Sequence, residues 1–328
     1  MSLGGDVYLA ITIDVEEDNW SNYGTAPVLT NIPRLLELQR LFDRYAVKPT
    51  YLITYPVASD KSSVSMLRKI MEEGRCEIGA HLHPWYTPPF DEEKTVRNTM
   101  LFNLPKELQH KKIESLHGKI FENFKMEPVT FRSGRWGFDR TVAENIHRMG
   151  YKVDTSVSPY MNWEKYNGPN FSGRSPMPEF LHMDNKRDPG SSILEVPATI
   201  GFLQSNFDGC NACLNKIAGS NLRHFRLAGI LDKLKLVNKV WLSPESDDGD
   251  KMIRLAKTFV KKKYSILNMF FHSPSLQNGL TPFTKTKEEE AELANRIEKF
   301  LKFKEMSNIK SIKLSESFQL IKNTGEVK

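Results

Sequence analysis

The chain has 328 residues, 39% hydrophobic and 26% charged, with a net charge of +6, which is ample for one barrel-sized core or two smaller ones. No run reaches the ~18 consecutive apolar residues of a membrane span, and "MSLGGDVYLAITID" at the start lacks the basic region, apolar stretch and cleavage site of a secretory signal. The basic surplus sits in short runs such as "KTFVKKKY" (257–264), without the aromatic interleaving of nucleic-acid modules, so a cytoplasmic globular protein that binds no nucleic acid is expected.

The elements alternate strand and helix. "VYLAITID" (7–14) reads as a strand, and "IPRLLELQRLFDRY" (32–45) as a helix with Leu35, Leu38, Leu41 and Phe42 near helical spacing and Pro33 in its first turn. "PTYLITYPV" (49–57) is a second strand, 62–74 a helix stopped by Gly74, and "CEIGAHLH" (76–83) a third strand. Further strands are expected at 129–132, 151–154, 193–197, 239–243 and 265–272, and helices at 94–124, 139–149, 248–262 and 286–306. The strands are short apolar runs rather than alternations, as in parallel strands covered on both faces. Seven or eight such units predict an α/β fold, a distorted (β/α)7-8 barrel in a single domain over 1–328. Residues 156–192 break the pattern. They are rich in Gly, Pro, Ser and Asn but also carry Tyr160, Trp163, Tyr166, Phe171 and Phe180, and read as a long substrate-side loop insertion. Cys76, Cys210 and Cys213 are too few for a disulfide framework, and "CNAC" (210–213) has no second CxxC to complete a zinc site.

The polar residues that stand out share one kind of position. Asp14 ends the first strand, His81 and His83 the third, Arg132 ends "VTFR", Asp154 ends "YKVD" and His272 ends "LNMFFH". In a β/α barrel all C-terminal strand ends meet at one rim, which carries the active site. Each residue has an ordinary alternative: Asp14 as a cap, the histidines as satisfied core residues, "FRSGRWG" (131–137) as a glycine turn. Their joint placement is what points to a site. His81 and His83, two apart on an extended strand, face the same side and can reach one metal. By the same alternation Asp14 and Glu16 share a face, while Glu17 points away and Asp18 lies past the strand.

This set resembles the polysaccharide deacetylases of carbohydrate esterase family 4. Their five motifs are matched in order by "TIDVEED", "EIGAHLHPW", "FRSGRWG", "VDTSVSP" and "MFFHSPSL", over about residues 7 to 315. "TYLITYPV", "HLHPWYTPP" and "WLSPE" look like the subgroup associated with surface-polysaccharide biosynthesis. The resemblance implies Asp14 as general base, Arg132 as its partner, His272 as general acid and Asp154 as the group that keeps His272 protonated. It implies a divalent metal, Zn²⁺ first among the candidates, held by Glu16, His81 and His83. Asp18, Trp85, Arg135, Trp136 and Trp163 are candidates for supporting or substrate contacts, and a backbone N–H near Arg135 or Trp136 for the oxyanion. The implied substrate is an acetylated sugar or glycan, phosphate-linked glycans included, with N-acetyl favoured over O-acetyl. The chain departs from the usual motifs at three places: Val15 separates the two acids, position 85 is Trp so that the second histidine is His83, and Gly134 stands where a Pro is common. Two other readings remain open: a metal-dependent amidohydrolase acting on a small amide, and an inactive sugar-binding relic of the same fold.

Overall fold

The computed structural model describes residues 6–18, 20, 24–184, 191–220 and 227–324. The first strand, β1 (Tyr8–Val15), is buried over almost its whole length. A 3₁₀ turn leads into α1 (Leu35–Arg44), which buries Leu35, Leu38, Leu41 and Phe42 as the spacing predicts. Strand β2 (Thr50–Ile53) is shorter than expected: Pro56 suits the first turn of a helix, so Tyr55–Ser59 becomes α2. Helix α3 (Lys61–Glu72) is capped by Asp60, which accepts from Ser63 N–H, and the chain turns at Gly74 with φ +72°.

Strand β3 (Glu77–Leu82) follows, then α4 (Lys106–Phe124). The helix expected over 94–124 loses its first part because Pro105 forces Leu104 to be extended, and residues 97–103 form two 3₁₀ turns instead. The chain continues through β4 (Thr130–Ser133), α5 (Arg140–Arg148) and β5 (Val153–Asp154). Segment 156–192 contains β6 (Glu179–His182), which pairs antiparallel with β7 (Ser192–Glu195), so it is not loop throughout; its residues 185–190 lie outside the described residues. After β8 (Ile200–Phe202) come α6 (Phe207–Ala218), which carries the two cysteines of "CNAC" as free thiols, and α7 (Leu227–Lys233). The chain ends with β9 (Lys239–Trp241), α8 (Gly249–Lys261), β10 (Ile266–His272), α9 (Lys287–Met306), β11 (Lys310–Ile312) and α10 (Glu316–Thr324).

The main sheet runs β10-β1-β2-β3-β4-β5-β7-β6, with β11 also on β1. All of its pairings are parallel except β6 with β7. The antiparallel β8–β9 pair bridges the opening between β7 and β10: Thr199 N–H donates to Asn268 O, Leu242 N–H to Thr199 O and Phe270 N–H to Leu242 O. The result is a single α/β domain with a curled, mostly parallel sheet, the distorted barrel expected. No helix among the described residues is long and apolar enough to cross a membrane.

Candidate active site and metal centre

Strand register brings the separated residues together. Asp14 is the direct partner of His272 across β1 and β10, and His81 that of Arg132 across β3 and β4. Side chains of register partners stand on the same face. All four face the C-terminal mouth of the curled sheet and line one cavity of about 620 Å³ together with Glu16, His83, Trp85, Arg135, Trp136 and Trp163.

Three donors converge at its floor. Glu16 Oε2 lies 3.4 Å from His81 Nε2 and 3.1 Å from His83 Nε2, and the two imidazole nitrogens are 2.7 Å apart. All three residues are buried, and among the described residues they form the one histidine–carboxylate group compact enough to hold a metal ion. His81 Nδ1 donates to Arg132 O at 3.1 Å, which in the neutral ring leaves the Nε2 lone pair facing the other two donors. Two imidazoles and a carboxylate suit Zn²⁺ or a similar divalent transition metal and leave coordination positions open. Charge agrees. Histidine ligands bind metal as neutral rings; Asp14 is paired with Arg132 and Glu245 with His272, which leaves Glu16 beside the two histidines for a cation to balance. The residues present therefore fit a divalent metal.

Gly134 explains two of the departures from the family pattern at once. A Cβ at this position would sit 2.4 Å from His83 Cδ2 and 2.8 Å from His83 Nε2, so the ring of the shifted histidine occupies the space of any side chain at 134. Gly134→Ala is expected to displace His83 and weaken metal binding by about 10–100-fold, the range found when a ligand's support is disturbed. Titration with a competing chelator measures it; unchanged affinity would mean that His83 does not coordinate.

Asp14 stands between these donors and His272. Its Oδ1 accepts from Arg132 Nη1 at 2.7 Å, while Oδ2 lies 3.8 Å from His81 Nε2 and 3.7 Å from His272 Nε2. Burial alone would raise its pKa, but Arg132, then His81 and His272, hold the carboxyl below the usual carboxylate range. Arg132 is itself fully engaged, donating to Thr155 O, Thr12 Oγ1 and Thr155 Oγ1 as well. Burial would likewise raise Glu16, but the neighbouring His81 and His83 rings hold its carboxyl below the usual range.

The expected partner of His272 is corrected. Asp154 is the register partner of Phe131, not of Arg132, so its side chain leaves the sheet on the face away from the cavity. There it accepts from Ser156 N–H and Oγ–H and stands beside Glu195, and burial raises both carboxyls of this pair. The group on His272 is Glu245: Oε2 lies 2.9 Å from Nδ1, while Oε1 accepts from the His272 backbone N–H at 3.1 Å and from Ser275 Oγ–H. Burial would lower the imidazole, but Glu245, then Glu16 and Asp14, raise it to about 10. Glu245 was legible in principle: in "KVWLSPE" it follows an apolar strand as Asp14 does.

Glu17 points away, accepting from Thr54 Oγ1–H at 2.6 Å, and burial pushes it up to about 7. Asp18 has no place in the donor cluster. It accepts from Thr30 N–H and Oγ1–H and from Asn31, whose Nδ2 also donates to Glu16 O, so it supports the acidic segment from behind. Arg135 and Trp136 adopt left-handed backbone angles (φ 54° and 60°) in the turn after β4 and face the cavity, Arg135 donating to Thr99 Oγ1. The sequence reading did not single out Trp20, Trp241, Phe270 and Phe283, which also line the cavity.

No family model matches the sequence, and no curated protein matches it. Solved structures do match. A candidate polysaccharide deacetylase from Mycobacterium smegmatis aligns over 100% of this chain and 94% of its own at a TM-score of 0.56, with 12% identity. The chain has the polysaccharide-deacetylase fold. Puue allantoinase matches over 98% of this chain and 92% of its own at a TM-score of 0.53 and 10% identity. A 4-alpha-glucanotransferase from Thermococcus litoralis matches over 96% of this chain and 40% of its own at 0.54 and 11%. These three names describe different reactions, so the fold does not choose the chemistry and the site must.

Proposed function

We propose that this protein is a divalent-metal-dependent hydrolase that removes an acetyl group, N-linked in preference to O-linked, from a sugar or glycan. The observation that carries the reading is the position of Asp14, between the Glu16–His81–His83 cluster and His272, with Arg132 fixing the base and Glu245 fixing the acid. The motifs that resemble the surface-polysaccharide subgroup support a cytoplasmic role in building such a glycan.

When bound, a divalent cation supplies Lewis acidity, which makes water acidic enough to deprotonate near neutrality and polarises the acyl carbonyl. The protein's own groups do the rest. Asp14 Oδ2 takes the proton from the attacking water, and Arg132 keeps Oδ1 engaged so that Oδ2 faces the reaction. Oxygen adds to the acyl carbon, and backbone N–H groups of the Arg135–Trp136 turn donate to the oxyanion. The C–N bond then breaks as His272 Nε2 protonates the nitrogen, giving acetate and a free amine. An amide nitrogen leaves only once protonated, which is why an imidazole held in its charged form suits N-acetyl substrates.

Glu245→Gln removes the carboxylate nearest His272, so the imidazole pKa falls. The acid is active when protonated, so the alkaline limb of the pH–rate profile is expected to move to lower pH, with turnover at pH 8 down by at least about tenfold. An unmoved limb in metal-replete protein would separate Glu245 from the acid.

Acetate release from a panel of N- and O-acetylated glycosides, with metal content determined on the same sample, tests the function. Release from N-acetyl glycosides is expected. Binding of those glycosides by metal-replete protein without any release would favour the sugar-binding relic, and turnover of small cyclic amides alone would favour the amidohydrolase.

A further inference from the structure

The chain's five tryptophans, spread from position 20 to 241, all line the same cavity. They arrive from five separate segments: the turn after β1, the loop after β3, the turn after β4, the 156–192 segment and β9. None of the five is in the buried core; each is half-buried. Trp20 stands edge-on to His272, with ring centroids 4.7 Å apart, and Trp85 meets His83 at 4.2 Å. On the far wall an unbroken arc runs from Trp136 to Phe270 (5.6 Å), Trp241 (5.7 Å) and Trp163 (6.4 Å).

Tryptophan is rarely buried completely, but its large rings supply much apolar contact wherever they gather. Five partly exposed rings gathered at one cavity fit a ligand with flat apolar faces of its own, such as the C–H faces of a pyranose. Lining residues come from the ends of β1, β3, β4 and β10, from the segment after β5 and from β9 with the chain that follows it, and none from the ends of β2 and β7. The β8–β9 pair lies beside β10 on the β7 side, which leaves the β2 side as the gap in the described wall. Its volume, about 620 Å³, is that of a pocket enclosing a single small molecule, about 300–1,000 Å³. A polymer passing through needs a groove open at two ends. Among the described lining residues the side-chain cations besides histidine are Arg132, paired with Asp14, and Arg135, which donates to Thr99 Oγ1.

We propose that the site takes one acetylated pyranose end-on, as a small glycoside or a chain terminus packed against the tryptophan rings, and does not act on units inside a polymer. This rests on the deacetylase reading and narrows its substrate class.

Because all five tryptophans line the pocket, intrinsic fluorescence reports on it directly. The metal-replete protein is titrated with the methyl glycosides of N-acetylglucosamine, N-acetylgalactosamine and N-acetylmannosamine, and with the dimer and hexamer of N-acetylglucosamine. A saturable change is expected with at least one methyl glycoside. Affinity should level off by the dimer, with the hexamer within about threefold of it, and any free amine produced on the hexamer should map by mass spectrometry to a terminal unit. Affinity that tightens about tenfold or more from dimer to hexamer, free amines at interior units, or no response to any methyl glycoside would overturn the proposal. Saturable binding of a methyl glycoside that levels off by the dimer, without acetate release from any substrate, would keep the pocket assignment and remove the deacetylase reading instead.

Discussion

In the Asp14→Asn variant, turnover is expected to fall by at least about 100-fold, the low end for loss of a general base, with metal content unchanged. The amide cannot take a proton from water, yet it keeps the size of the carboxylate and an oxygen for Arg132 Nη1. Breaking a buried ion pair outright costs about 3–5 kcal/mol because the remaining charge is stranded. Here Arg132 retains Thr12, Thr155 and the substituted side chain itself. The loss should therefore lie below that range and leave a folded protein with a lower melting temperature. Circular dichroism, metal analysis and acetate release on one preparation decide it. Near-normal turnover in a folded, metal-replete sample would take Asp14 out of the mechanism.

The second large effect is on the metal. Glu16→Ala removes the carboxylate shared by His81 and His83, and affinity should drop by more than the ~10–100-fold typical of losing a supporting contact. Glu17→Ala should keep its metal, because Glu17 faces Thr54 and not the histidines. Asp18→Ala should fall between the two: it frees Asn31, which holds the Glu16 backbone carbonyl. Metal content after dialysis ranks the three variants. Full occupancy in Glu16→Ala with loss in Asp18→Ala would reverse the assignment of the ligand.

Period and strand ends explain what could be read in advance. The stretches at β1, β3 and β10 are mostly apolar, interrupted at Thr12 and Asn268, and Asp14, His83 and His272 at or beside their ends line one cavity. Alternation along an extended chain correctly separated Glu16 from Glu17, although β1 ends one residue earlier, at Val15. The same rule failed at Asp154 because β5 is only two residues long. With so short a strand, which residue faces the mouth depends on its register with β4, and register is not visible in one sequence. Glu245 was missed for a related reason. It follows β9, which belongs to the antiparallel bridge closing the sheet rather than to a parallel unit, so a search confined to parallel strand ends passes over it. The tryptophans could not be gathered in advance, since nothing local in the sequence says that residues 20, 85, 136, 163 and 241 meet.

Metal-dependent deacetylation is tested most directly by acetate release from N-acetylated methyl glycosides, measured on the purified protein as isolated, after chelation and after Zn²⁺ is returned. The account predicts release that disappears on chelation and returns with the metal. Release that survives complete removal of the metal, or its absence from fully loaded protein that binds the glycosides, would contradict it.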